Sequence, residues 1–418
     1  MEMSGGLMGR CRLCAGADLR SVLDLGATPP CESFLTAAEL NEPEVTYPLH
    51  LQICADCLLL QIPALITPEA TFTDYAYHSS FSDSWVEHAR SYVAGTTERL
   101  ALGAGSFVVE VASNDGYLLR NVVAAGIPCL GIEPSVNVSE AARRVGVPTL
   151  TAFLDEPLAD KVRAEHGPAD LVVANNVYAH IPDLLGFTRA LRGLVADDGW
   201  VSIEVHHALH LVAEAQFDTI YHEHFQYYTA LSAQRALAVG GLRLVDVEEL
   251  STHGGSIRLW ARPEELGATV SDAVGALLAR EAAVGLDTVE GHLGLAGRVA
   301  VIRRDLVAYL IGCARDGVTV GGYGAPGKGN TLLNFCGIRA DLLPWLVDRN
   351  PYKHGRFTPG TRIPIHEPAF LAEQRPDVIV VLPWNLRTEL DEQLAWTSEW
   401  GARLVYPLPV LSIQAAGA

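Results

Sequence analysis

The stretch Ser-Phe-Val-Val-Glu-Val-Ala-Ser-Asn-Asp-Gly-Tyr-Leu-Leu-Arg, residues 106–120, decides the fold of this chain. Its apolar run is typical of a buried strand, and the polar turn after it leads into the start of a helix. Three more segments of strand character follow at residues 129–133, 169–176 and 199–206, with helical stretches rich in Ala, Leu and Arg between them. This alternation predicts a doubly wound α/β domain with a mostly parallel, Rossmann-like sheet.

The ends of these strands carry the residues that we expect to bind a cofactor. Glu133 ends the second strand, about 20 residues after the first loop, where an acid suits the ribose hydroxyls of NAD or of S-adenosylmethionine. The loop has one glycine, Gly116, where a dinucleotide site has three, and Glu110 and Asp115 would repel a pyrophosphate. These features favour the sulfonium cofactor S-adenosylmethionine. The predicted cofactor-binding residues are Glu110, Ser113, Asn114, Asp115, Gly116, Glu133, Pro134, Asn175 and Asn176.

Four of the eight cysteines form two Cys-x-x-Cys pairs, Cys11 with Cys14 and Cys54 with Cys57. In a cytosolic chain such pairs indicate a metal site sooner than disulfides, and four thiolates complete a tetrahedral structural zinc site. The 39 residues between the pairs predict a small loop-and-strand unit. Cys31 would then be a spare thiol. A redox dithiol is the alternative interpretation.

A second dense group of chemistry-bearing side chains is Tyr-His-Glu-His-Phe-Gln-Tyr-Tyr, residues 221–228. Buried His, Glu and Tyr side chains each need a hydrogen-bond partner, so residues 221–228 suit acid/base chemistry better than an apolar core. We call them the acid/base segment. If the segment is extended, Tyr221 and Glu223 lie on one face and His222 and His224 on the other. The histidines are two residues apart rather than four, which excludes a zincin helix. A satisfied polar loop is the alternative.

The C-terminal third contains a glycine pattern that resembles a dinucleotide fingerprint. Residues 318–330 satisfy Gly-x-Gly-x-x-Gly after a strand, and Asp348 ends a second strand. Only three strands are visible, at residues 318–323, 344–348 and 377–382, which is half a Rossmann domain. We therefore predict a truncated Rossmann-like α/β domain whose glycine loop holds the diphosphate of a substrate through backbone N–H groups and Lys328. Glycines kept for tight packing are the alternative.

Two intervening segments complete the C-terminal half. Residues 266–316 have helical spacing and predict two long helices that connect the α/β units. The run from His253 to Ser256 predicts a strand entered through two glycines, whose imidazole and hydroxyl could reach the cleft or could serve only the turn.

Composition excludes several classes of function. A net charge of −19 argues against a nucleic-acid partner, which requires clustered Lys and Arg. No apolar run approaches the length of a membrane span, and the first residues lack a signal-peptide pattern, so we expect a cytoplasmic protein without a membrane partner. A length of 418 residues predicts two to three domains. The oligomeric state stays open, and a monomer is compatible with the composition.

Three motifs together resemble a known family. Glu-Val-Ala-Ser-Asn-Asp-Gly at 110–116, Gly-Ile-Glu-Pro-Ser at 131–135 and Phe-Asp-Thr-Ile-Tyr-His-Glu-His-Phe-Gln-Tyr at 217–227 resemble the S-adenosylmethionine-dependent sugar C-methyltransferases that act on nucleotide-linked 4-keto-6-deoxysugars. The cysteine pairs and the C-terminal domain resemble the same family. The resemblance implies a zinc-binding domain over 1–72, a methyltransferase domain over 73–265, and a helical connector with a nucleotide-sugar-binding domain over 266–418.

The resemblance also implies roles for individual residues. His224 is expected to be the base, with Tyr221, Glu223, His180 and Tyr75 around the sugar. Forming a carbon–carbon bond from a sulfonium methyl needs an enolate, so Tyr221, Tyr75 and His222 are candidate donors to its oxygen, and the role of Glu223 stays open. The expected substrate-binding residues are Tyr77, Ser79, Lys328, Asn330, Tyr323, Tyr352 and His354.

The reaction implied by the resemblance is C-methylation of a nucleotide-diphosphate ketosugar, with thymidine as the nucleoside and C3 as the methylated carbon, in deoxysugar and antibiotic biosynthesis. C5-methylation is an alternative within this class. An NAD-dependent oxidoreductase or epimerase on such sugars is the rival enzyme. An O- or N-methyltransferase, which needs no enolate, is a further alternative. The non-enzymatic alternative is a zinc-ribbon adaptor or RNA-binding protein with a decayed methyltransferase domain. The net negative charge of the chain argues against it.

Overall fold

The computed structural model describes residues 9–68 and 79–417, and within these ranges the strands form three sheets of four, seven and six strands. Tyr75 and Tyr77, which we predict to face the substrate, lie outside the described residues. The predicted α/β class is confirmed, with a four-cysteine cluster near the N-terminus and two mostly parallel sheets. The boundaries at 72/73 and 265/266 stay a proposal.

The N-terminal sheet is small and antiparallel. It contains β1 (Leu19–Thr28), β2 (Tyr47–Cys54) and β3 (Leu60–Gln61), in the order β1-β2-β3-β9. The fourth strand, β9 (Gln226–Tyr227), comes from the last part of the acid/base segment at 221–228 and pairs with β3 through Leu60↔Tyr227 and Gln61↔Gln226. The zinc-binding unit therefore holds the acid/base segment in its own sheet.

The central sheet has the order β10-β11-β8-β7-β4-β5-β6. Its first five strands in the chain are parallel, and the last two form an antiparallel edge. The strand order reverses beside β4, and a ligand in such a sheet binds outside the carboxyl ends of the strands at this point. The strands are β4 (Val108–Val111), β5 (Cys129–Ile132), β6 (Thr149–Leu150), β7 (Ala169–Asn175), β8 (Val195–His206), β10 (Leu242–Leu250) and β11 (Ser256–Pro263).

Helices cover both faces of this sheet. Their apolar faces pack on strands such as β4 and β7, whose side chains are almost entirely buried. The helices are α1 (Asp83–Leu100), α2 (Leu119–Ala124), α3 (Val136–Arg144), α4 (Glu156–His166), α5 (Leu184–Leu194), α6 (Ala208–Ala213) and α7 (Ala230–Val239).

The connector is helical, as predicted, but it contains three helices rather than two long ones: α8 (Asp272–Ala283), the short α9 (Glu290–Leu293) and the long α10 (Leu295–Arg315). The sheet that follows has six strands in the order β14-β13-β12-β15-β16-β17, so the expectation of three strands was wrong. Two of the missed strands, Ile365–His366 and Ser412–Ala415, lie at the edges of the sheet, and the third, Arg403–Tyr406, lies inside it. The elements are β12 (Val320–Tyr323), α11 (Gly327–Cys336), β13 (Leu346–Val347), β14 (Ile365–His366), α12 (Ala369–Gln374), β15 (Val378–Val381), α13 (Arg387–Leu394), β16 (Arg403–Tyr406) and β17 (Ser412–Ala415).

The N-terminal and C-terminal units share one hydrophobic core. Buried residues of β1 and β2, such as Leu49 and Leu51, belong to the same cluster as Leu332 of α11 and Val380 of β15. The segment before the acid/base residues, including Phe217, packs into this cluster. Across the described ranges, no helix combines the length and the apolar character that a membrane span requires.

Candidate active site

One cavity of about 700 Å³ lies where the three units meet. Cys31 and Glu32 come from the N-terminal unit, and Lys328 and Lys353 come from the C-terminal unit. The central domain supplies most of the wall, including Trp85, Asn114, Glu133, Pro134, Asn175, Asn176, His180, His206, Tyr221, Glu223, His224 and His253. The volume is within the usual range of about 300–1,000 Å³ for ligand sites.

Glu133 is held firmly in the wall of this cavity. It follows β5, and its two carboxylate oxygens accept hydrogen bonds from the backbone N–H of Asn114 at 3.0 Å and of Ser135 at 2.9 Å. Burial raises the pKa of Glu133, while these amide groups oppose the rise. These bonds fix the carboxylate beside the loop that follows β4, where its remaining lone pairs can accept hydrogen bonds from ribose hydroxyls.

Two asparagines beside Glu133 fit a polar cofactor. Asn175 ends β7 and Asn176 follows it, and both line the cavity. Asn175 Oδ1 and Asn176 Nδ2 are buried and have no hydrogen-bond partner among the described residues. Such atoms are costly unless a ligand or water satisfies them, which makes them suitable for a nucleoside.

Four of the predicted cofactor-binding residues do not line the cavity. They pack in and around the loop between β4 and α2. Burial, with Glu133 and Asp115 nearby, raises the pKa of Glu110 well above its usual range. Ser113 is fully buried beside Gly131, and Asp115 accepts hydrogen bonds from the backbone N–H and hydroxyl of Ser80. Gly116 has a positive φ of 79° and packs against Val147. Direct cofactor contact by Glu110, Ser113, Asp115 and Gly116 is therefore withdrawn, and Asn114, Glu133, Pro134, Asn175 and Asn176 are retained.

Tyr221 and His224 form a hydrogen-bonded pair in the cavity wall. The Tyr221 hydroxyl lies 2.8 Å from His224 Nε2, and His224 Nδ1 lies 3.1 Å from the carbonyl oxygen of Thr219. Because a carbonyl only accepts, His224 donates through Nδ1–H, and its Nε2 accepts the Tyr221 proton. Burial, and secondarily His180 and His206, hold the pKa of His224 well below its usual range. The ring is therefore a neutral base at physiological pH.

His180 lies directly against this pair. Its ring meets that of His224 edge to face at 4.6 Å between centroids, and burial lowers its pKa to about 4. The backbone N–H of Phe225 donates to the carbonyl oxygen of Ala179, which fixes the His180 turn beside the acid/base segment.

Glu223 is a carboxylic acid rather than a carboxylate near neutral pH. Burial, with the nearby Glu32 as a second cause, raises the pKa of Glu223 to about 8. The side chain is 6% exposed and lines the cavity. A protonated carboxyl group can donate a hydrogen bond to an oxyanion, as buried acids do in other enolising sites.

Residues 221–224 are not extended, so the two faces described for an extended segment do not form. A turn closes this segment, with the backbone N–H of His224 donating to the carbonyl oxygen of Tyr221. The turn places Tyr221, Glu223 and His224 at the cavity and His222 away from it. His222 Nε2 donates to the carbonyl oxygen of Tyr47 at 3.0 Å, in the N-terminal sheet. His222 is therefore withdrawn as an oxyanion donor.

Two lysines provide positive charge at the cavity. Lys328 Nζ donates to Asn385 Oδ1 at 2.9 Å and lies 5.1 Å from the centre of the Trp384 ring. Lys353 Nζ donates to the carbonyl oxygen of Ala325 at 2.8 Å. Burial lowers the pKa of Lys328, and Asp218 opposes this effect. These are two of the three lysines in the chain.

The other predicted substrate residues behave differently. Ser79 lines the cavity and donates through its backbone N–H to Asn114 Oδ1. The remaining four lie outside the cavity wall and bond elsewhere: Asn330 to the carbonyl oxygen of Cys31, Tyr323 to Gln393, His354 to the carbonyl oxygen of Asp348, and Tyr352 by stacking on Phe81. Direct substrate contact by Asn330, Tyr323, Tyr352 and His354 is withdrawn.

Three N–H groups of the phosphate cradle predicted at the glycine loop already have acceptors within the chain. The N–H groups of Gly324 and Ala325 donate to the carbonyl oxygen of Val347 and to Asp348 Oδ2, and that of Gly327 donates to Glu32. A Cβ on Gly327 would lie 2.6 Å from Glu32 Oε1, so this glycine serves close packing. In a dinucleotide site, Asp348 would be the acid that binds the ribose. Here it accepts a hydrogen bond from the glycine loop itself, so the dinucleotide interpretation lacks its ribose-binding acid.

Sequence reasoning missed several cavity residues. The Trp85 ring contacts the His253 ring at a tilt of 55°, with 5.0 Å between centroids, and Glu32, His206 and Lys353 also line the cavity. His206 ends the predicted strand at 199–206 and Lys353 lies between two predicted substrate residues, so both had a signal in the sequence, whereas Trp85 and Glu32 lie in no motif.

The four predicted zinc ligands converge. The Sγ atoms of Cys11, Cys14, Cys54 and Cys57 all lie within 4.8 Å of one another, with Cys11–Cys57 at 3.4 Å and Cys14–Cys54 at 3.5 Å. Zinc–sulfur bonds of about 2.3 Å in a tetrahedron need sulfur spacings of this size. The residues present fit a structural zinc ion.

Three family models match successive parts of the chain. A zinc binding domain matches residues 11–72, a methyltransferase domain matches residues 85–247, and a C-methyltransferase C-terminal domain matches residues 251–409. The chain is also similar to the C-methyltransferase NovU of Streptomyces niveus, with 34% identity over 399 residues that cover 96% of this chain and 95% of the relative.

Solved structures show weaker similarity. The magnesium protoporphyrin IX methyltransferase of Synechocystis PCC 6803 with bound SAM has 16% identity, with coverage of 45% of this chain and 85% of that one and a TM-score of 0.33. An S-adenosylmethionine-dependent methyltransferase from Clostridium acetobutylicum ATCC 824 has 12% identity, with coverage of 43% and 92% and a TM-score of 0.35. Similarity at this level carries no argument about the cavity.

Proposed function

Because the chain belongs to the family of S-adenosylmethionine-dependent C-methyltransferases with a zinc binding domain, we propose that its substrate is a nucleotide-diphosphate-linked 4-keto-6-deoxysugar. The proposed nucleoside is thymidine, and the proposed site of methylation is C3, next to the ketone. S-adenosylmethionine and a structural zinc ion are the cofactors. The four thiolates suit a reducing compartment, so we place the enzyme in the cytoplasm of a cell that makes deoxysugars.

The observation that carries this proposal is the composition of the cavity. One wall offers the ribose acid Glu133, another offers the neutral Tyr221–His224 pair, and the C-terminal unit offers Lys328 and Lys353. In a chain of net charge −19, placing two of three lysines at one cavity favours an anionic ligand such as a diphosphate.

The chain's own residues account for removal of the proton next to the ketone. We assign His224 as the final proton acceptor, because its Nε2 carries the lone pair and Thr219 fixes its tautomer. The Tyr221 hydroxyl lies 2.8 Å away, so a proton taken by either group can pass to the other. When bound, S-adenosylmethionine supplies the electrophilic methyl group.

The enolate oxygen needs a donor, and we assign this role to protonated Glu223. A carboxylate at this position would repel the negative charge that develops, whereas a carboxylic acid donates to it. The proposed division of roles is therefore a neutral base at His224 and an acid at Glu223.

This assignment predicts a pH dependence. With a pKa of about 8, Glu223 holds its proton at neutral pH and loses it above pH 8, so kcat/KM should fall as the pH rises through this value. Glu223→Gln keeps a donor that does not titrate, so its profile should stay level on the alkaline side. Rates measured from neutral to alkaline pH test this, with the exposed Glu98→Gln as control. An alkaline fall unchanged in Glu223→Gln would contradict the role of Glu223.

The lysine assignment predicts a binding defect. Lys328→Gln should raise KM for the nucleotide sugar by about 10- to 100-fold, because hydrogen bonds to charged groups contribute about 1.5–3 kcal/mol. Steady-state kinetics should show a smaller change in kcat and an unchanged affinity for S-adenosylmethionine. The surface variant Lys161→Gln removes the same charge outside the cavity and should behave like the wild type. Equal KM values for the two variants would remove Lys328 from the substrate site.

Substrate class is tested by incubating the protein and S-adenosylmethionine with a panel of nucleotide-linked ketosugars and reading product masses. The proposal expects one added methyl group on a 4-keto-6-deoxysugar, placed at C3 by NMR. Placement at C5 would correct the regiochemistry alone. A methyl group on oxygen or nitrogen, or no gain with any ketosugar, would overturn the substrate assignment.

A further inference from the structure

A second cluster of metal-ligating side chains lies apart from both the cysteine site and the cavity. One ring nitrogen of His207, one of His210 and a carboxylate oxygen of Glu249 lie within 4.8 Å of one another. His207 follows β8, His210 is on α6, and Glu249 is on β10. None of the three lines the cavity.

The hydrogen bonds of His207 determine which of its nitrogens is available. Its Nε2 lies 2.7 Å from Glu281 Oε1, and the same carboxylate accepts the backbone N–H groups of Ala230 at 2.6 Å and Leu231 at 3.3 Å. Because Glu281 is the acceptor for all three, His207 donates through Nε2 and keeps its lone pair on Nδ1. This side chain is fully buried, and no donor in the described part of the chain reaches Nδ1.

His210 is supported in the same way. Its Nδ1 lies 2.8 Å from Glu214 Oε1, so this nitrogen donates and Nε2 keeps the lone pair. The ring is held against Gly255, where an added Cβ would lie 2.2 Å from His210 Cδ2. The carbonyl oxygen of Gly255 also accepts the backbone N–H of His207, so one glycine positions both histidines.

We propose that His207 Nδ1, His210 Nε2 and the Glu249 carboxylate bind a divalent zinc-class cation, with water in the remaining position. One ligand atom from each of the three side chains lies here, each imidazole keeps a lone pair, and a carboxylate orients each ring, which is the usual support of a metal-ligating histidine. Arg280 pairs with Glu249 through Oε2 and partly offsets the acidic charge. The ion would tie the end of β8 and α6 to β10, next to the cavity residue His206.

The main competing explanation is that a proton, rather than a metal ion, holds these three side chains together. If His210 is an imidazolium, it can donate to Glu214 and Glu249 at once, and the cluster needs no metal. The two explanations differ in stoichiometry, because only the metal site adds a second bound ion to the zinc of the four cysteines.

The test uses the full chain with its cysteine zinc in place, freed of weakly bound metal by dialysis and titrated with Co²⁺. The proposal expects one Co²⁺ per chain beyond the zinc, with ligand-field bands that lack thiolate charge transfer. His210→Ala and Glu249→Gln should weaken this binding at least about 10-fold, while the exposed His166→Ala binds as wild type. Glu249 is half-exposed, so Glu249→Gln should fold even if a histidine variant does not. No second equivalent, or unchanged binding by Glu249→Gln, would overturn the site.

Discussion

Replacing His224 by alanine or glutamine is expected to lower kcat by about 10²- to 10⁴-fold, the usual contribution of a positioned general base. The carbonyl oxygen of Thr219 accepts a hydrogen bond from His224 Nδ1–H, which fixes the tautomer of His224. Its Nε2 is therefore the basic atom, and the Tyr221 hydroxyl contacts this atom. Affinity for S-adenosylmethionine should be retained, since the Glu133 end of the cavity is untouched. Turnover measurements and calorimetry with the cofactor separate the two effects.

A matched control comes from the same segment. His222→Gln changes a histidine that contacts Tyr47 outside the cavity, so its turnover should stay close to that of the wild type. Turnover by His224→Ala near the wild-type rate would contradict the assignment of the base. A loss of cofactor binding in His224→Ala would point to a structural defect instead.

Loss of the cysteine zinc is expected to damage both stability and turnover. Arg12 lies in the first Cys-x-x-Cys pair, and its buried guanidinium donates to the carbonyl oxygens of Ile62 and Phe225. β3 of the same unit pairs with β9 in the acid/base segment. The zinc ion therefore stabilises the strand and the arginine that hold residues 221–228 in place.

Cys14→Ser should thus lose one zinc equivalent and lower the melting temperature by roughly 10 °C or more. Apparent binding energies of structural zinc reach about 10–16 kcal/mol, and about 1 kcal/mol shifts the melting temperature of a domain of 150–250 residues by about 2–4 °C. Metal analysis, a thermal melt and a turnover assay measure the three effects. Cys129→Ser, which changes a cysteine outside the cluster, should keep its zinc. An unchanged melt in Cys14→Ser would refute a structural zinc site.

Local sequence patterns were sufficient for the zinc ligands and the central sheet. The spacing of Cys11, Cys14, Cys54 and Cys57 specifies a tetrahedral ligand set by itself. Apolar runs that end in a polar loop specify buried parallel strands, so the position of Glu133 at the end of β5 followed from periodicity. Each of these signals is contained within a few neighbouring residues.

Features that depend on packing between units could not be predicted in this way. Gly327 matches a phosphate motif, yet its missing side chain makes room for Glu32 from more than 290 positions earlier in the chain. Lys353 lies against Phe34 and Glu32 of the N-terminal unit, which are more than 310 positions earlier in the chain. Within residues 221–224, a single turn decides that His224 faces the cavity and His222 does not, and periodicity cannot distinguish this turn from a strand.

The most direct test of the central claim is proton exchange at the carbon next to the ketone. The protein is incubated in D₂O with the thymidine-diphosphate 4-keto-6-deoxysugar and S-adenosylhomocysteine, so that no methyl group can transfer, and the recovered sugar is examined by NMR. The account predicts deuterium at C3 with the wild type and a large loss of exchange with His224→Ala. Equal exchange by both proteins, or none by a wild type that methylates C3, would contradict enolate formation by the Tyr221–His224 pair.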